Sequence, residues 1–516
     1  MTRFPARIDV PCVLFIAAVV AFHLYLYLTY PAVPWHSPTR GWEGWFDQGW
    51  YLKSARAFAA FDLSADNHLY PIGYSLLGAA FVPFFDDPFF IPDLLCVVVF
   101  AWMFQRYFRP LIGIAGVALA FFAALAFPFT TQIPFDVWHI LWLQFVVPWN
   151  TIPIATLFMS LLCAIRDLRT DSTLSRHFLV GAMAGAVAAI KPAELLPLTV
   201  LGLWYVIVTF RNRTAALRGI GTAALGCVVV AGPLLALTVS IHHGLSSSYT
   251  DTIKYIGMSL SDLPQRAVDL FIDAGPSYGE PNAALLGLLP WLPILGPLAL
   301  VGATLRWREL LAPVALVVAS FLTYLAYNDF GPTNVLHFFL IHYVVWTFPV
   351  IAACGLCMAV SIVQRPVSAI PCIVAILCFC TIGALRVELK LAYSHVESRT
   401  VPGGSAFNLT FSEKTHLDAI DLPANKALVE APNVGNPLRL DVDGEPLRTF
   451  TGYRLLNLPG RLRVMFMRPV DATLVSFWIP GVVAGEAVDI RPLRFSLRWA
   501  SSPWEKHSGN LNVTDQ

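Results

Sequence analysis

Charge is the scarcest commodity in this chain. Only 13% of its 516 residues are Asp, Glu, Lys or Arg, about half the share found in a soluble protein. Hydrophobic residues make up 57%, and the mean hydropathy is +0.64. That balance excludes an ordinary soluble domain and points to a chain that crosses a membrane many times. The net charge is only +1, so no basic stripe is available to hold a nucleic acid. Neither GxxxxGK[ST] nor GxGxxG occurs where a strand would feed a helix, which leaves ATP and NAD without a binding turn. No internal repeat or low-complexity tract is evident. All nine cysteines fall inside apolar runs. Cys354 and Cys357 have metal-knuckle spacing, but they sit in "IAACGLCMAV" with no second pair and no polar neighbour, which fits small buried hydrophobes. The polar C-terminal region contains no cysteine and is therefore no disulfide scaffold.

A bilayer core takes roughly 20 apolar residues per helix. Eleven such runs can be marked, at about 10–30, 89–105, 111–130, 149–165, 178–191, 194–210, 219–240, 284–304, 310–328, 338–362 and 367–388. The first follows Arg3 and Arg7, is long for a signal peptide and has no A-x-A site after it, so it reads as a retained anchor. Residues 70–85 are apolar but short and open on Tyr-Pro. Left uncrossed, as an interfacial or re-entrant helix, they make the positive-inside rule consistent. Thirteen basic residues then fall inside: Arg3, Arg7, Arg106, Arg109, Arg166, Arg169, Arg176, Arg211, Arg213, Arg218, Arg306, Arg308 and Arg365. The outer side is acidic and holds the long loops 31–88 and 241–283, so a site is expected there. Beyond 388 the chain turns polar, with short β-like runs such as "LRLDVDG", "RLRVMFM" and "ATLVSFWIP" between turns. The expected fold is mainly α and polytopic, with about eleven transmembrane helices in 1–390. A small extracytoplasmic β domain follows over 391–516, and the N-terminus is cytoplasmic.

The first outer loop carries the densest chemistry. Read as a helix over 46–62, it places Phe46, Trp50, Tyr51, Ala57, Phe58 and Phe61 on one broad face and Gln48, Gly49 and Arg56 opposite, as in a helix lying at the interface. Asp47 opens that helix. It reads either as a cap for the first amides or as a base held at the membrane surface. Lys53 and Arg56 either snorkel to lipid phosphates or hold a phosphate of the substrate. Tyr51 belongs to the aromatic belt or to the substrate site. Asp136 and His139, in "IPFDVWHILW", suit acceptor binding or the polar edge of an interfacial helix. His68 reads as a phosphate contact or a surface loop residue, and Lys191 with Glu194 as an ion pair at a hairpin tip or a functional pair at membrane depth.

"GWFDQGWYLKSARAF" followed by "YPIGYSLLGAAF" resembles the first luminal loop of GT-C-fold integral-membrane glycosyltransferases, such as the protein O-mannosyltransferases and the lipid A aminoarabinose transferases. These place an acid shortly after the first span, then a Tyr-bearing helix and a P-x-G-Y-like segment. Here Asp47-Gln48, Tyr51 and Pro71-Ile72-Gly73-Tyr74 stand in those positions. "GAMAGAVAAIKPAELLPLTVLGL" resembles the family's glycine-rich hairpin ending at Lys191-Pro192. "HFFLIHYVVWTFPVIAACG" resembles its late Arg-Tyr helix, with His342-Tyr343 in place of Arg-Tyr. Gln48 instead of a second acid departs from the pattern and weakens a metal at that pair.

The resemblance implies an inverting transfer from a polyprenyl-phosphate sugar to an acceptor hydroxyl on a glycan, lipid or protein. Asp47 would be the base, and Lys53, Arg56, Lys191, His68 and His342 candidates for the donor phosphate. Tyr51, Asp136, His139 and Tyr343 would be substrate-site candidates. It also implies a place in the bacterial inner membrane among membrane lipids. No cofactor or metal ligand set is assigned, and a divalent metal is left open. The competing class, a transporter or flippase for lipid-linked glycans, calls for paired repeats or several charges within spans, and the sequence offers neither.

Overall fold

The computed structural model describes residues 9–29, 46–125, 141–210, 213–244, 247, 249–251, 254, 257–273, 284–328, 341–364, 369–382, 385–423, 438–447, 452–458, 460–480 and 489–499. Among them the principal helices, in chain order, are α1 (Val10–Thr29), α2 (Phe46–Ala59), α3 (Ile72–Ala79), α4 (Phe90–Leu125), α5 (Thr151–Asp167), α6 (Leu174–Ile190) and α7 (Leu195–Thr209). There follow α8 (Arg213–His242), α9 (Leu263–Phe271), α10 (Leu292–Leu305), α11 (Trp307–Ala326), α12 (Thr347–Gln364) and α13 (Ala369–Ile382). The strands are β1 (Leu385–Leu391), β2 (His395–Val401), β3 (Gly404–Pro423), β4 (Arg439–Val442), β5 (Glu445–Leu447), β6 (Tyr453–Leu458), β7 (Arg461–Pro480) and β8 (Arg491–Trp499).

Among the described residues, six helical stretches are long and apolar enough to cross a bilayer: Val10–Thr29, Phe90–Leu125, Pro192–Thr209, Ala216–His242, Trp307–Ala326 and Thr347–Gln364. Leu174–Ile190 and Leu292–Leu305 are shorter apolar helices. Large side chains along them, including Leu14, Trp102, Leu203, Val228 and Leu322, are exposed. Such faces are costly in water and free of cost in lipid, while each helix satisfies its own backbone. The chain is an integral membrane protein.

Two sequence expectations are adjusted, and the expectation that 70–85 is not a full span is kept. The spans at 89–105 and 111–130 form one helical element, α4, broken at Gly113 (φ 69°, ψ 173°). This is a left-handed position that glycine takes without strain, three residues after Pro110. The run 367–388 does not stay helical, since α13 ends at Ile382 and β1 begins at Leu385. Residues 70–85 give only the eight-residue α3, about 12 Å long and too short to cross.

The contacts divide the chain into two compact units: 1–251 with 291–323 and 341–378, and 252–290 with 324–340 and 379–516. In the first unit, helix pairs approach until backbones touch. A Cβ on Gly181 of α6 would stand 1.7 Å from the Ala223 carbonyl oxygen of α8, and one on Gly226 would stand 2.2 Å from the Phe178 carbonyl oxygen. Small residues at four-residue spacing permit this, and dispersion contacts rather than hydrophobic expulsion then hold the pair in lipid. A Cβ on Gly73 would lie 2.9 Å from Ile190, so α3 rests on the end of α6, next to Lys191.

The two ends of α1 show how polar groups are sorted. At its start Asp9 takes a hydrogen bond from Arg109, and Arg106 pairs with Asp167 at 2.6 Å. Arg166 there donates to the carbonyls of Tyr107 (2.9 Å) and Arg106 (3.0 Å). At its far end, about 30 Å away along 20 residues, Tyr27 donates to Asp87 at 3.0 Å. Arginines gather at one end, and tyrosine–carboxylate pairs at the other.

The second unit is built around two 20-residue strands, β3 and β7. The first half of β3 pairs with β2 and with the second half of β7, which passes on to β4 and β5. The second half of β3 pairs with β8 and the first half of β7, with β1 beyond β8 and β6 beyond β7. Register shifts at Thr410/Thr415 and Leu417/Ala419 mark the change of partners, as where strands switch sheets in a sandwich. Phe407, Leu440 and Phe477 from one half and Leu422, Tyr453 and Val464 from the other share one core. Buried Arg463 and Asp421 form a two-pronged ion pair at 2.6 and 2.8 Å. In the same unit, Arg266 of α9 donates to the carbonyls of Leu325, Ala326 and Tyr327 and so satisfies the open end of α11. The expected strand "ALVEAP" (427–432) lies outside the described residues.

Candidate active site

Helix α2 builds one wall. Its buried stripe is Gln48, Tyr51, Leu52, Ala55 and Phe58, spaced as one helical face. This differs from the face read from hydropathy. Gln48, expected outside, is buried and donates through Nε2 to the Pro148 carbonyl at 3.3 Å. Phe61, expected inside, is 92% exposed. A hydrogen bond to a buried carbonyl outweighs the polarity of one amide.

Asp47 lies within the first turn of α2 rather than before it, where the helix dipole favours an anion. Its Oδ1 accepts a short hydrogen bond from the Tyr70 hydroxyl. The Tyr70 ring is 4.9 Å from that of Tyr51 and 4.4 Å from that of Tyr249. Tyr51 meets Tyr74 edge-on at 5.0 Å, and Tyr74 stacks on Phe89 at 4.5 Å. Burial, reinforced by the Asp47 charge, pushes the Tyr51 and Tyr70 hydroxyls well above the usual tyrosine range. Tyr70 therefore keeps its proton and acts as a fixed donor to Asp47. Two further pairs repeat the theme: Tyr74 donates to Asp93 at 2.8 Å, and Tyr27 to Asp87, whose other oxygen takes the Phe89 amide at 3.0 Å.

A second cluster lies at the start of α5, where Gln48 is bonded. Buried Lys191, between α6 and α7, meets Glu194 Oε1 at 3.2 Å and Thr151 Oγ1 at 3.2 Å. Its ammonium sits 4.2 Å from the centre of the Tyr343 ring, in cation–π range. His342 stacks on Trp149 at 4.0 Å and lies tilted against Tyr343 at 3.8 Å. Trp149 Nε1 and Asn150 Oδ1 are buried there without a hydrogen-bond partner among the described residues. The sequence Pro148-Trp149-Asn150-Thr151 thus ties Asp47, through its neighbour Gln48, to Lys191.

The other sequence candidates fall elsewhere. Lys53 donates to the Asp66 carbonyl at 2.8 Å and covers Trp50 at 4.5 Å. Arg56 is half-buried on the flank of α2. His68 is fully buried, with Nδ1 against Ser54 Oγ at 2.8 Å and Nε2 against the Asp62 carbonyl at 2.9 Å, so it ties α2 to the following turn. Asp136 and His139 lie outside the described residues. Tyr70, Tyr249, Trp149 and Thr151 are absent from the sequence-based site. Tyr70 has a signal, an aromatic directly before the Pro71-Ile72-Gly73-Tyr74 segment; the others have none. Among the described residues no three His, Cys, Asp or Glu side chains converge as a metal site would require.

No protein-family model and no curated protein matches the chain. Two of the solved structures similar to it are ArnT from Cupriavidus metallidurans bound to undecaprenyl phosphate and the arabinosyltransferase EmbB from Mycobacterium smegmatis. ArnT has a TM-score of 0.43 and 15% identity, over 71% of this chain and 63% of that one. EmbB has a TM-score of 0.39 and 13% identity, over 96% of this chain and 66% of that one. Each match takes in less than two thirds of the neighbour's own length. Likeness this loose transfers neither a residue nor an activity.

Proposed function

We propose that the protein is a GT-C-type membrane glycosyltransferase that moves a sugar from a polyprenyl-phosphate donor to an acceptor hydroxyl. The observation that carries this reading is the pairing of an anchored acid with a buried cation at one end of the helical bundle. Asp47 is held by Tyr70, and Lys191 is reached through Gln48 and the start of α5. The acceptor oxygen attacks the anomeric carbon as Asp47 takes its proton. The bond from that carbon to the phosphate oxygen breaks on the opposite side, so the configuration inverts. The leaving group is already an anion and needs no acid, only a cation where charge develops, a role we give to Lys191. His342 and Tyr343 line that side, and the aromatic wall of Tyr51, Tyr70 and Tyr249 serves the acceptor. Lys53 and Arg56 serve lipid phosphate at the rim. The site faces the extracytoplasmic side of a bacterial inner membrane, and the β unit over 391–516 belongs to that side.

The test is turnover of polyprenyl-phosphate sugars by the detergent-purified protein and its Asp47→Asn variant, with unfolding midpoints measured alongside. The parent should release sugar. The variant should match its stability and lose turnover by about three orders of magnitude or more, the scale of general-base loss. A variant as active as the parent would remove Asp47 as the base.

A further inference from the structure

In the β unit, β2 is an edge strand. Among the described residues it pairs with β3 alone. Register sets Val396, Ser398 and Thr400 beside Leu409, Phe407 and Ser405, all three of them buried. These residues of β2 therefore lie on the sheet face that carries the core. Yet Ser398 and Thr400 are exposed and Val396 is 40% exposed, so the core stops at β3. The other face of β2 bears His395, Glu397 and Arg399, all exposed.

The turn decides which backbone groups face outward. Pro402 and Gly403 (φ 83°) form a two-residue loop between the paired Val401 and Gly404. So short a loop has no room for a ladder bond of its own, so Val401 and Gly404 are a hydrogen-bonded pair. Alternation then turns the amides and carbonyls of His395, Glu397 and Arg399 toward β3, and those of Val396, Ser398 and Thr400 away from it. The strand, His395–Val401, contains no proline or lysine, and its register with β3 has no bulge. Those are the devices that usually blunt an open edge.

We propose that β2 is a self-association edge, where two copies of this chain join their β2 strands antiparallel about a two-fold axis at Ser398. Charge complementarity favours a second copy as the occupant. In this register Ser398 meets Ser398 of the other copy and Val396 meets Thr400, both through the outward-facing row. Glu397 then stands opposite Arg399 of the other copy, and Arg399 opposite Glu397, in the non-hydrogen-bonded positions where side chains come closest. No like charges oppose each other, and the same patch serves both copies, as a two-fold interface requires. Moving the axis to Val396 or Thr400 shortens the overlap and loses both charge pairs. An unrelated extended segment would meet the same backbone row without the matched charges.

The experiment uses the full chain in membranes. Under mild oxidation Ser398→Cys should give a disulfide-linked dimer, since hydrogen-bonded partners lie about 5.5 Å apart at Cα. Thr400→Cys alone should not, because the two copies of residue 400 stand about 14 Å apart along the strands, but it should cross-link when co-expressed with Val396→Cys. The parent supplies the blank for the native cysteines, none of which lies beyond Cys380. Energy transfer between labelled copies in vesicles then reads the charges. Glu397→Arg and Arg399→Glu, each alone, should weaken association by about tenfold or more, two attractions being exchanged for two repulsions. Both reversals in one chain should restore it, and copies carrying one reversal should pair with copies carrying the other, a recovery that misfolding cannot give. Cross-linking of Ser398→Cys no greater than the parent's, equal cross-linking of Ser398→Cys and Thr400→Cys, or single reversals that leave association intact would overturn the proposal. So would reversals that fail to rescue each other, or cross-linking of Ser398→Cys to a different protein.

Discussion

Replacing Lys191 by methionine removes the cation from an ion pair of which both members are buried. Lys191 Nζ lies 3.2 Å from Glu194, and the side chains are 6% and 0% exposed. The remaining Glu194 carboxylate would be left buried without that countercharge. Breaking one side of a buried pair costs about 3–5 kcal/mol, whereas replacing both members by apolar groups of similar volume is close to neutral. Lys191→Met should therefore lower the unfolding midpoint sharply, Glu194→Leu should do the same, and the double variant should recover most of the loss. The coupling between the two, the failure of the single effects to add, should be at least about 2 kcal/mol. Activity should behave differently. If Lys191 stabilises the departing phosphate, the double variant stays inactive although it is folded. The assay is a double-mutant cycle read in parallel by thermal unfolding in detergent and by sugar release from a polyprenyl-phosphate donor. A stable double variant that turns over like the parent would refute the role given to Lys191. Additive stability losses would refute the reasoning about the pair itself.

Tyr70→Phe removes the donor to Asp47. A hydrogen bond to a charged group contributes about 1.5–3 kcal/mol, so the variant should lose about that much unfolding free energy and should also lose turnover; a variant equal to the parent in both would separate Tyr70 from Asp47. Gly181→Ala would press a methyl group against the Ala223 carbonyl at 1.7 Å, whereas a Cβ on Gly202 meets nothing within 4 Å. The first should destabilise by about 1–3 kcal/mol and the second should leave the unfolding midpoint within error; equal effects would mean that α6 and α8 do not touch there. Asp443 accepts the amides of Thr473 and Leu474 and the Thr473 hydroxyl, which hold its carboxyl below the usual carboxylate range. A lowered folded value means its contribution is complete above about pH 4, the unfolded value, and is lost as pH falls through the folded one. Asp443→Asn, which keeps the left-handed turn conformation accessible, should remove that acid sensitivity from hydrogen exchange in the β4–β5 hairpin; exchange of the same pH dependence in parent and variant would count against it.

The sequence by itself determined that this chain lives in a membrane and where most of its helices run. Hydropathy over some 20 residues is a local quantity, and lipid acts on it locally. It also marked a helix after 46, the short segment after Tyr70-Pro71, and β structure near the C-terminus, because period and turn residues are local too. It did not find β3, the longest strand with β7. Its outward residues, such as Glu413 and Lys414, break the apolar pattern, and its partners lie far along the chain. Nor did it give the face of α2. Gln48 turns inward because a carbonyl 100 residues away accepts from it, and no local pattern carries that information. The candidate site divides the same way. Asp47, Lys191, His342 and Tyr343 stand out as residue types in context. That Lys191 and Tyr343 touch, that Tyr70 rather than Lys53 meets Asp47, and that His68 is a buried strut follow from packing alone. Hydrogen bonds inside a protein depend on which groups are left without water when helices close together, and only the tertiary structure decides which those are.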